Sequence, residues 1–391
     1  MITKENIYIT KNEYELNLED IMEIGKRVNN TKRDFLFINK LLGKHLEVKP
    51  DIVKCTGRLL TSLKYPLRTD ILLTYIHEQN IDISKTLNRP IPINQKTLVI
   101  GFSETATGLG MSVAASIKNA TYVTTTRETI LNEDVVFTFE EEHSHATTHI
   151  LYFDAFDNYD QIILVDDEMT TGKSMLNLIK NLVDISGVKD FSIFSILDWR
   201  NENDIAEFNR FQWKENVSIK SYSLIHGIIK EETTETVPLD TEFKLEEKLE
   251  KKYDFTTLEK RNNYWKESGK FGIDTFETLE NECKELAKKI ESVLTLEKND
   301  KILVLGHGEN IYIPSRIASY LSYDTYFKTT TRSPIYVDGK IIKDRNYFYE
   351  NSIKYYFYNK EEIEKTYKKV IMIAEQPFDV KLSENFMAVY V

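Results

Sequence analysis

Residues 162–174 read Ile-Ile-Leu-Val-Asp-Asp-Glu-Met-Thr-Thr-Gly-Lys-Ser. The four apolar residues predict a buried strand, two carboxylates follow at its tip, and a Thr-Thr-Gly turn leads into a helix predicted from about Ser174 to Ser186. Such a turn offers consecutive backbone N–H groups and hydroxyls at a helix N-terminus, which suits a phosphate monoester. The two aspartates are placed to accept hydrogen bonds from vicinal hydroxyls. This order of groups fits a ribose 5-phosphate.

Two better-known loop motifs do not fit this stretch. A Walker A loop needs a glycine where Asp167 stands. A calcium-binding loop needs a glycine and a later glutamate at fixed positions, and this stretch has neither residue at the required position. A purely structural interpretation also stays open. In it the stretch is a strand, a turn and a helix with polar caps, and it binds no ligand.

The rest of the chain predicts an α/β fold, with short β-branched runs alternating with helical patterns. This alternation is typical of a parallel sheet covered by helices. Residues 14–48 and 57–79 are interpreted as amphipathic helices, residues 97–100 and 191–197 as buried strands.

The composition suggests more than one domain. At 391 residues the chain is long enough for two or three. We predict a first domain over 1–240, a charged linker or helix over 241–265, and a second, smaller α/β domain over 266–391. The Glu, Lys and Thr content of the middle segment, above all in residues 244–252, is the reason for this division.

An internal repeat lies under this pattern. Placing residues 97–128 over 302–333 without a gap gives eight identities in 32 positions, clustered at the ends of two predicted strands. Both Gly101 to Arg127 and Gly306 to Arg332 span 26 residues, which accommodates a βαβ unit. Because ligands of open α/β sheets bind at the carboxyl ends of strands, we expect both arginines to point into equivalent crevices.

Charge and cysteine content exclude several classes of protein. The chain has 51 basic and 62 acidic side chains, a formal net charge of −11, so we expect no nucleic acid as a partner. Its two cysteines rule out a disulfide framework and are typical of a reducing compartment. Apolar runs of about seven residues are too short to span a bilayer. We therefore expect a cytoplasmic protein without a membrane partner.

The stretch 162–174 resembles the phosphoribosyl-pyrophosphate (PRPP) binding motif of type I phosphoribosyltransferases, in which four apolar residues, two acids and two variable residues precede Thr-Thr-Gly. Residues 32–45, 101–108 and 141–145 resemble an orotate-type branch of these enzymes, associated with bacterial tellurite-resistance and stress-response gene clusters. In that branch a C-terminal domain carries a Thr-Arg-Ser-Pro signature, here residues 331–334.

The resemblance implies a PRPP site, with Mg²⁺ bound largely by the pyrophosphate of the substrate. Asp166 and Asp167 would hold the ribose hydroxyls and count as catalytic together with Arg127. The ribose and 5-phosphate site would comprise Asp166, Asp167, Glu168, Met169, Thr170, Thr171, Gly172, Lys173 and Ser174. The loop for the departing pyrophosphate would comprise Gly101, Phe102, Ser103, Glu104 and Thr105.

Arg127 follows the next predicted strand, where orotate-type enzymes begin a mobile catalytic loop. A guanidinium suits that role because it is always charged and binds phosphate oxygens bidentately; a plain surface arginine is the alternative. The loop would include Glu142, His143 and His145. Two alternatives stay open for this stretch: a metal site formed by His143, His145 and His149, or a solvated surface loop. The loop is acidic and His-rich where orotate-type enzymes have lysines, which argues against an anionic base as acceptor.

The acceptor, a small nucleobase-like molecule, is expected near the end of the strand at 191–197. Asp198 and Trp199 offer a carboxylate and a stacking ring there, although a buried tryptophan beside a surface ion pair explains them equally well. In the second copy of the repeat, Gly306, Glu309, Arg332 and Ser333 are candidates for another anionic ligand. The alternative for that copy is a structural and dimerisation unit.

The leading hypothesis is thus a Mg²⁺-dependent phosphoribosyltransferase, expected to form a homodimer. A non-catalytic PRPP sensor and a hydrolase that releases ribose phosphate from a nucleotide-like substrate are the alternatives.

Overall fold

The structure is a computed structural model that describes residues 6–28, 35–130, 133–140, 148–230, 241–255 and 269–391. Within these ranges, none of the helices combines the length and the apolar character that crossing a bilayer requires.

The first sheet has six strands in the order β1-β10-β9-β8-β4-β5, all parallel except β1. Its central strands are buried on both faces, which explains their unbroken apolar runs. The predicted parallel sheet is therefore confirmed. The strands are Ile7–Asn12 (β1), Thr97–Gly101 (β4), Thr121–Thr124 (β5), Gln161–Met169 (β8), Asp190–Asp198 (β9) and Ser218–Ile229 (β10).

Helices pack against this sheet. They are Asp51–Ser62 (α2), Asp70–Glu78 (α3), Ser84–Leu87 (α4), Thr107–Ala115 (α5), Lys173–Ser186 (α6) and Glu202–Glu215 (α7). The single helix predicted over 57–79 is wrong, because α2 and α3 are separate. Pro66 lies between them, and proline lacks the N–H that a helix interior needs and disfavours helical backbone just before it.

The helix predicted over 14–48 is also wrong. The structure has a one-turn helix, Leu18–Ile21 (α1), and two antiparallel strands, Met22–Lys26 (β2) and Phe35–Asn39 (β3). Every residue of β3 is buried, and the ring of Phe37 packs 5.3 Å from that of Trp199. Burial on both faces by aromatic and branched side chains favours a strand and outweighs the helical periodicity of the segment.

The second sheet has five parallel strands in the order β12-β18-β17-β13-β14. They are Lys252–Asp254 (β12), Lys301–Gly306 (β13), Asp324–Thr329 (β14), Lys369–Ala374 (β17) and Phe386–Tyr390 (β18). Three helices accompany it: Phe276–Val293 (α8), Tyr312–Tyr320 (α9) and Lys360–Thr366 (α10).

Two smaller antiparallel pairs are bridged to the residues that follow β5 and the strand Asp324–Thr329, through Thr126–Ile150 and Thr331–Tyr356. Phe137–Glu140 (β6) pairs with Thr148–Leu151 (β7), and Arg345–Glu350 (β15) pairs with Ile353–Tyr358 (β16). The short strand Phe243–Lys244 (β11) adds to β15.

The charged segment predicted as a linker or helix contains strands β11 and β12, and both pair with the second part of the chain. Between them Leu249 is buried in the second core. Charged side chains are common on edge strands because they discourage further pairing, so the Glu- and Lys-rich composition fits this position as well as a helix.

The predicted repeat is confirmed in the pairing of the strands. Gly101 pairs with Thr124 as the last residues of β4 and β5, and Gly306 pairs with Thr329 as the last residues of β13 and β14. Each arginine lies three residues beyond its strand. We call residues 97–169 the first copy and residues 302–374 the second copy.

Side-chain hydrogen bonds extend the repeat to the antiparallel pairs. The Tyr152 hydroxyl donates to the carbonyl of Glu128 (3.3 Å), and the Tyr358 hydroxyl donates to the carbonyl of Ser333 (2.5 Å). Each hydroxyl also accepts the N–H of the residue two positions after that carbonyl. Ile130 donates to Tyr152 at 2.8 Å, and Ile335 donates to Tyr358 at 2.9 Å. The two copies therefore share loop geometry as well as strand order.

A buried ionic cluster joins α2 to α8 and α9. The Glu280 carboxylate accepts hydrogen bonds from Lys54 Nζ (2.6 Å), Arg316 Nε (3.0 Å) and the Tyr320 hydroxyl (2.5 Å). Arg316 also donates to Asp51 at 2.5 Å. Burial opposes ionisation, but Arg316 and Lys54 outweigh it and hold the pKa of Glu280 well below its usual value.

Candidate functional site

The Asp-Asp motif lies where β8 ends and α6 begins. Strand β8 continues through both aspartates to Met169, four residues beyond the predicted end, and α6 begins at Lys173. Gly172 takes a φ of 72° in the turn between them. A Cβ on Gly172 would lie 2.9 Å from Cδ of Arg200, so the turn needs glycine for both conformation and space.

A cavity of about 180 Å³ opens at this edge of the first sheet. It brings together most of the predicted site residues: Phe102, Ser103, Glu104, Thr105, Arg127, Asp166, Asp167, Glu168, Met169, Thr170, Thr171, Gly172, Lys173, Ser174, Arg332 and Ser333. Among the described residues that were predicted, Gly101, Asp198, Trp199, Gly306 and Glu309 are not part of the lining. Glu142, His143 and His145 lie outside the described residues.

Asp166 and Asp167 are partly exposed at the floor of the cavity. Asp166 still pairs with Ser195 on β9, and its carboxylate accepts the N–H of Asp167 at 2.9 Å. The strand register thus fixes both carboxylates at the edge of the sheet. The turn at 170–172 and the first turn of α6 lie beside them.

The turn after β4 forms the neighbouring wall. The Ser103 N–H donates to Thr125 Oγ1 at 3.0 Å, and the peptide bond between Ser103 and Glu104 is cis. The buried Lys44 ammonium contacts Glu104 at 2.6 Å and donates to the carbonyl of Gly308 at 2.8 Å. Burial opposes ionisation of Glu104, but Lys44 and nearby arginines outweigh it and keep its pKa below the usual value. Glu104 is therefore a charge-paired structural carboxylate.

Arg127 is oriented by a buried histidine. Its Nη2 donates to the carbonyl of Ser103 (3.3 Å) and lies 3.4 Å from Nε2 of His149. A guanidinium only donates, so Nε2 accepts, and Nδ1–H then faces Thr125 Oγ1 at 3.0 Å. The imidazole also stacks on Phe139, with centroids 4.8 Å apart. His149 was predicted only as a possible metal ligand beside His143 and His145, and its contact with Arg127 was not predicted.

Arg332 reaches this cavity from the second copy. Its Nη2 donates to Glu128 (2.6 Å) and to the Tyr355 hydroxyl (2.9 Å), while Glu128 also contacts Lys270 Nζ at 2.8 Å. The prediction that Arg127 and Arg332 point into two equivalent crevices is therefore wrong. Both line one cavity, because the carboxyl ends of the two sheets face each other.

The corresponding crevice of the second copy is filled by aromatic rings. His307 lies with its ring centroid 4.3 Å from that of Tyr355, 5.5 Å from Phe378 and 6.0 Å from Phe348. Its Nε2 is hydrogen-bonded to Glu350. The predicted separate ligand site around Gly306 is thus occupied by protein side chains.

Glu309 belongs to the contact between the copies. Its carboxylate accepts from the Thr126 hydroxyl at 2.7 Å and from the Arg127 N–H at 3.0 Å, and it is 4% exposed. The predicted ligand-binding role of Glu309 is replaced by this structural one, since it holds the backbone from which the Arg127 side chain projects.

The predicted acceptor role of Asp198 and Trp199 is also corrected. Asp198 is buried and makes two hydrogen bonds to the Arg200 guanidinium, at 2.9 and 2.7 Å. Trp199 is buried against Phe37. The tryptophan of the alternative interpretation is thus buried as expected, but the ion pair beside it is buried as well and does not lie at the surface. Phe37 lines the cavity and Trp199 does not.

A further wall, which was not predicted, comes from β3 and from residues that follow β2 and β3: Arg27, Leu36, Phe37, Asn39 and His45. His45 is 5% exposed, and neither ring nitrogen has a hydrogen-bond partner among the described residues. Burial, reinforced by the Lys44 charge, lowers the pKa of His45 to about 3, so the ring is neutral at physiological pH. The false helix over 14–48 concealed this wall.

In the described ranges, no group of three or more His, Cys, Asp or Glu side chains is arranged to hold a metal ion. Of the three histidines of the alternative metal site, His143 and His145 lie outside those ranges, and His149 contacts Thr125 and Arg127.

Two family models match the sequence. Residues 21–228 match a model described as phosphoribosyl transferase. Residues 267–390 match a model described as the TRSP domain C-terminal to it. No curated protein matches the chain.

Several solved structures resemble the chain at low identity. Adenine phosphoribosyltransferase from Trypanosoma brucei is 15% identical over 52% of this chain and 76% of its own, with a TM-score of 0.33. APRTase from Giardia lamblia is 15% identical over 52% and 94%, with a TM-score of 0.32. Orotate phosphoribosyltransferase from Mycobacterium tuberculosis is 13% identical over 52% and 89%, with a TM-score of 0.27.

Proposed function

The chain belongs to the phosphoribosyl transferase family, and we propose on this premise that it uses PRPP as donor and a nucleobase-like molecule as acceptor. One observation carries the proposal. The two aspartates, the turn at 170–174, the turn at 102–105 and Arg127 line a single cavity. Carboxylates for ribose hydroxyls, N–H groups for the 5-phosphate and a cation for the leaving group are the parts this reaction requires.

In the proposed reaction, Asp166 and Asp167 accept hydrogen bonds from the ribose hydroxyls. The bond between ribose C1 and the pyrophosphate oxygen breaks, and its electron pair goes to that oxygen. The lone pair of an acceptor nitrogen forms the new bond to C1, and that nitrogen releases its proton. The protein contributes mainly position and charge, since oriented donors stabilise the charge that develops on the leaving group.

Arg127 is proposed to bind the departing pyrophosphate. His149 accepts from its Nη2, which limits the rotation of the guanidinium toward solvent. A preorganised cation of this kind stabilises charge without first having to reorganise.

The residues present fit a Mg²⁺ ion that arrives with the substrate. Asp166, Asp167 and Glu168 offer carboxylate oxygens at the cavity, and Mg²⁺ is usually held by one or two carboxylates together with substrate phosphates. Bound there, the ion would supply charge neutralisation for the pyrophosphate.

The acceptor is proposed to bind against the N-terminal wall, in place of the position predicted at Asp198 and Trp199. Phe37 offers an apolar ring face, and His45 offers one donor and one acceptor from its neutral imidazole. These groups suit a planar heterocycle that carries both hydrogen-bond donors and acceptors.

The test is pyrophosphate release from PRPP and Mg²⁺ with a panel of nucleobases, combined with calorimetry of PRPP binding. The double substitution Asp166→Asn and Asp167→Asn should abolish PRPP binding, because the amides cannot replace both charged acceptors. Asp184→Asn is the matched control, since Asp184 is exposed near the far end of α6. Equal PRPP binding by wild type and double mutant would refute the assignment. If the protein binds PRPP but releases no pyrophosphate from it with any base of the panel, the result would favour the sensor over the transferase.

A further inference from the structure

We propose that Arg332 is a catalytic residue that binds the departing pyrophosphate together with Arg127, so that the second copy of the repeat completes the site of the first. The inference rests on the proposed function and adds a residue from the other end of the chain to it.

The position of Arg332 is the first support. It corresponds to Arg127 in the repeat. Each arginine directly follows a Thr-Thr-Thr run and lies three residues beyond the end of its strand. Both line the cavity beside the turn at 102–105, to which the pyrophosphate is assigned. Arg332 also acts electrostatically on Glu104 and Lys44 of that wall. The two guanidinium groups thus approach the same turn from the two copies.

The hydrogen-bonding state of Arg332 is the second support. Its Nη2 has two acceptors, Glu128 and Tyr355, but its Nε is buried and has no hydrogen-bond partner among the described residues. A buried donor without an acceptor costs free energy, and this cost disappears when an acceptor binds. A guanidinium presents a planar fork of N–H groups that matches phosphate oxygens.

Arg332 can also turn from its present partner without leaving an uncompensated charge. Glu128 is held by Lys270 at 2.8 Å as well as by Arg332. When the guanidinium shifts toward a pyrophosphate oxygen, the lysine remains beside the carboxylate.

The closed crevice of the second copy is the third support. Rings around His307 occupy the crevice of the second copy among the described residues. The side chain of Arg332 is directed across the contact between the copies, where the cavity of the first copy lies. One site is therefore built from both copies.

The test measures three ligands by calorimetry on the full chain with Mg²⁺: PRPP, inorganic pyrophosphate and ribose 5-phosphate. Arg332→Gln should weaken PRPP and pyrophosphate binding by roughly 10- to 100-fold, the usual effect of losing a charge-assisted hydrogen bond in a site. Ribose 5-phosphate, which lacks the pyrophosphate, should bind unchanged. Arg332→Lys should give an intermediate loss, because it keeps the charge and loses the fork.

Lys343→Gln is the control, since Lys343 is exposed in the same half of the chain and pairs only with the exposed Glu362 among the contacts described. If Arg332→Gln does not fold, the binding of the three ligands by Arg332→Lys is compared with that of the wild type and of Lys343→Gln. Pyrophosphate binding at wild-type strength in a folded Arg332 variant would overturn the inference, as would an equal loss for ribose 5-phosphate. Failure of the wild type to bind PRPP would instead refute the proposed function itself.

Discussion

Replacement of Gly172 by alanine tests the geometry of the turn at 170–172, to which we assign the 5-phosphate. Gly172 has a φ of 72°, where a residue with a Cβ is strained by roughly 1–2 kcal/mol. The new Cβ would also lie 2.9 Å from Cδ of Arg200 and 3.0 Å from the Phe208 ring. Overpacking of this kind costs roughly 1–3 kcal/mol. We therefore expect Gly172→Ala to lower the free energy of unfolding by about 2–5 kcal/mol.

The chain offers a matched control at the other end of the same helix. Gly187 has a φ of 66°, but a Cβ there would meet nothing within 4 Å. Gly187→Ala should therefore show the backbone strain alone, about 1–2 kcal/mol. The difference between the two variants isolates the contact with Arg200 and Phe208.

The assays are urea denaturation and calorimetry with ribose 5-phosphate. Relief of the contact at Gly172 moves the backbone N–H groups of 170–174, so the ligand should bind at least about tenfold more weakly. Gly187→Ala should bind it like wild type. If the two variants lost equal stability and bound the ligand equally, the assignment of this turn to the phosphate would be refuted.

Two further predictions concern buried carboxylates. Burial opposes ionisation of Asp198, but hydrogen bonds from His226 and Arg200 outweigh it and lower its pKa from 3.8 to about 2. Asp198→Asn should therefore cost about 2 kcal/mol at pH 7. This contribution to stability is present above the unfolded pKa and is lost as the pH falls from about 4 to 2. The urea midpoints of variant and wild type should therefore converge in that pH range. Altered PRPP binding by Asp198→Asn would contradict the structural role of Asp198. Glu280→Gln should cost roughly 3–5 kcal/mol in urea denaturation, because Lys54 and Arg316 stay buried. Glu285→Gln, exposed on the same helix, should change it by less than about 0.5 kcal/mol.

The elements that could be predicted are those specified by local sequence. The strand, turn and helix at 161–186 combine an apolar run, a turn with glycine and an amphipathic pattern, and these signals agree. The repeat could be found because identities cluster at strand ends, and Gly306 lies at the end of β13 as predicted. Most residues of the cavity followed from these two features.

The parts that could not be predicted depend on contacts distant in sequence. Strand β3 is stabilised by packing on Trp199, about 160 residues away, and periodicity carries no information about that partner. The crossing of Arg332 into the first copy likewise depends on how the two sheets face each other. The filling of the second crevice depends on which rings contact His307. Neither the crossing of Arg332 nor the filling of this crevice is encoded in a short window of sequence.

The buried cluster around Glu280 has a consequence for how the site responds to dilution. When a site is completed by a separate subunit, mass action governs its assembly, and dilution separates the two parts. Here both parts belong to one polypeptide, so their effective concentration is fixed by the chain and the folded interface. The encounter of Arg332 with the cavity is therefore a step of folding and does not depend on how many molecules the cell contains.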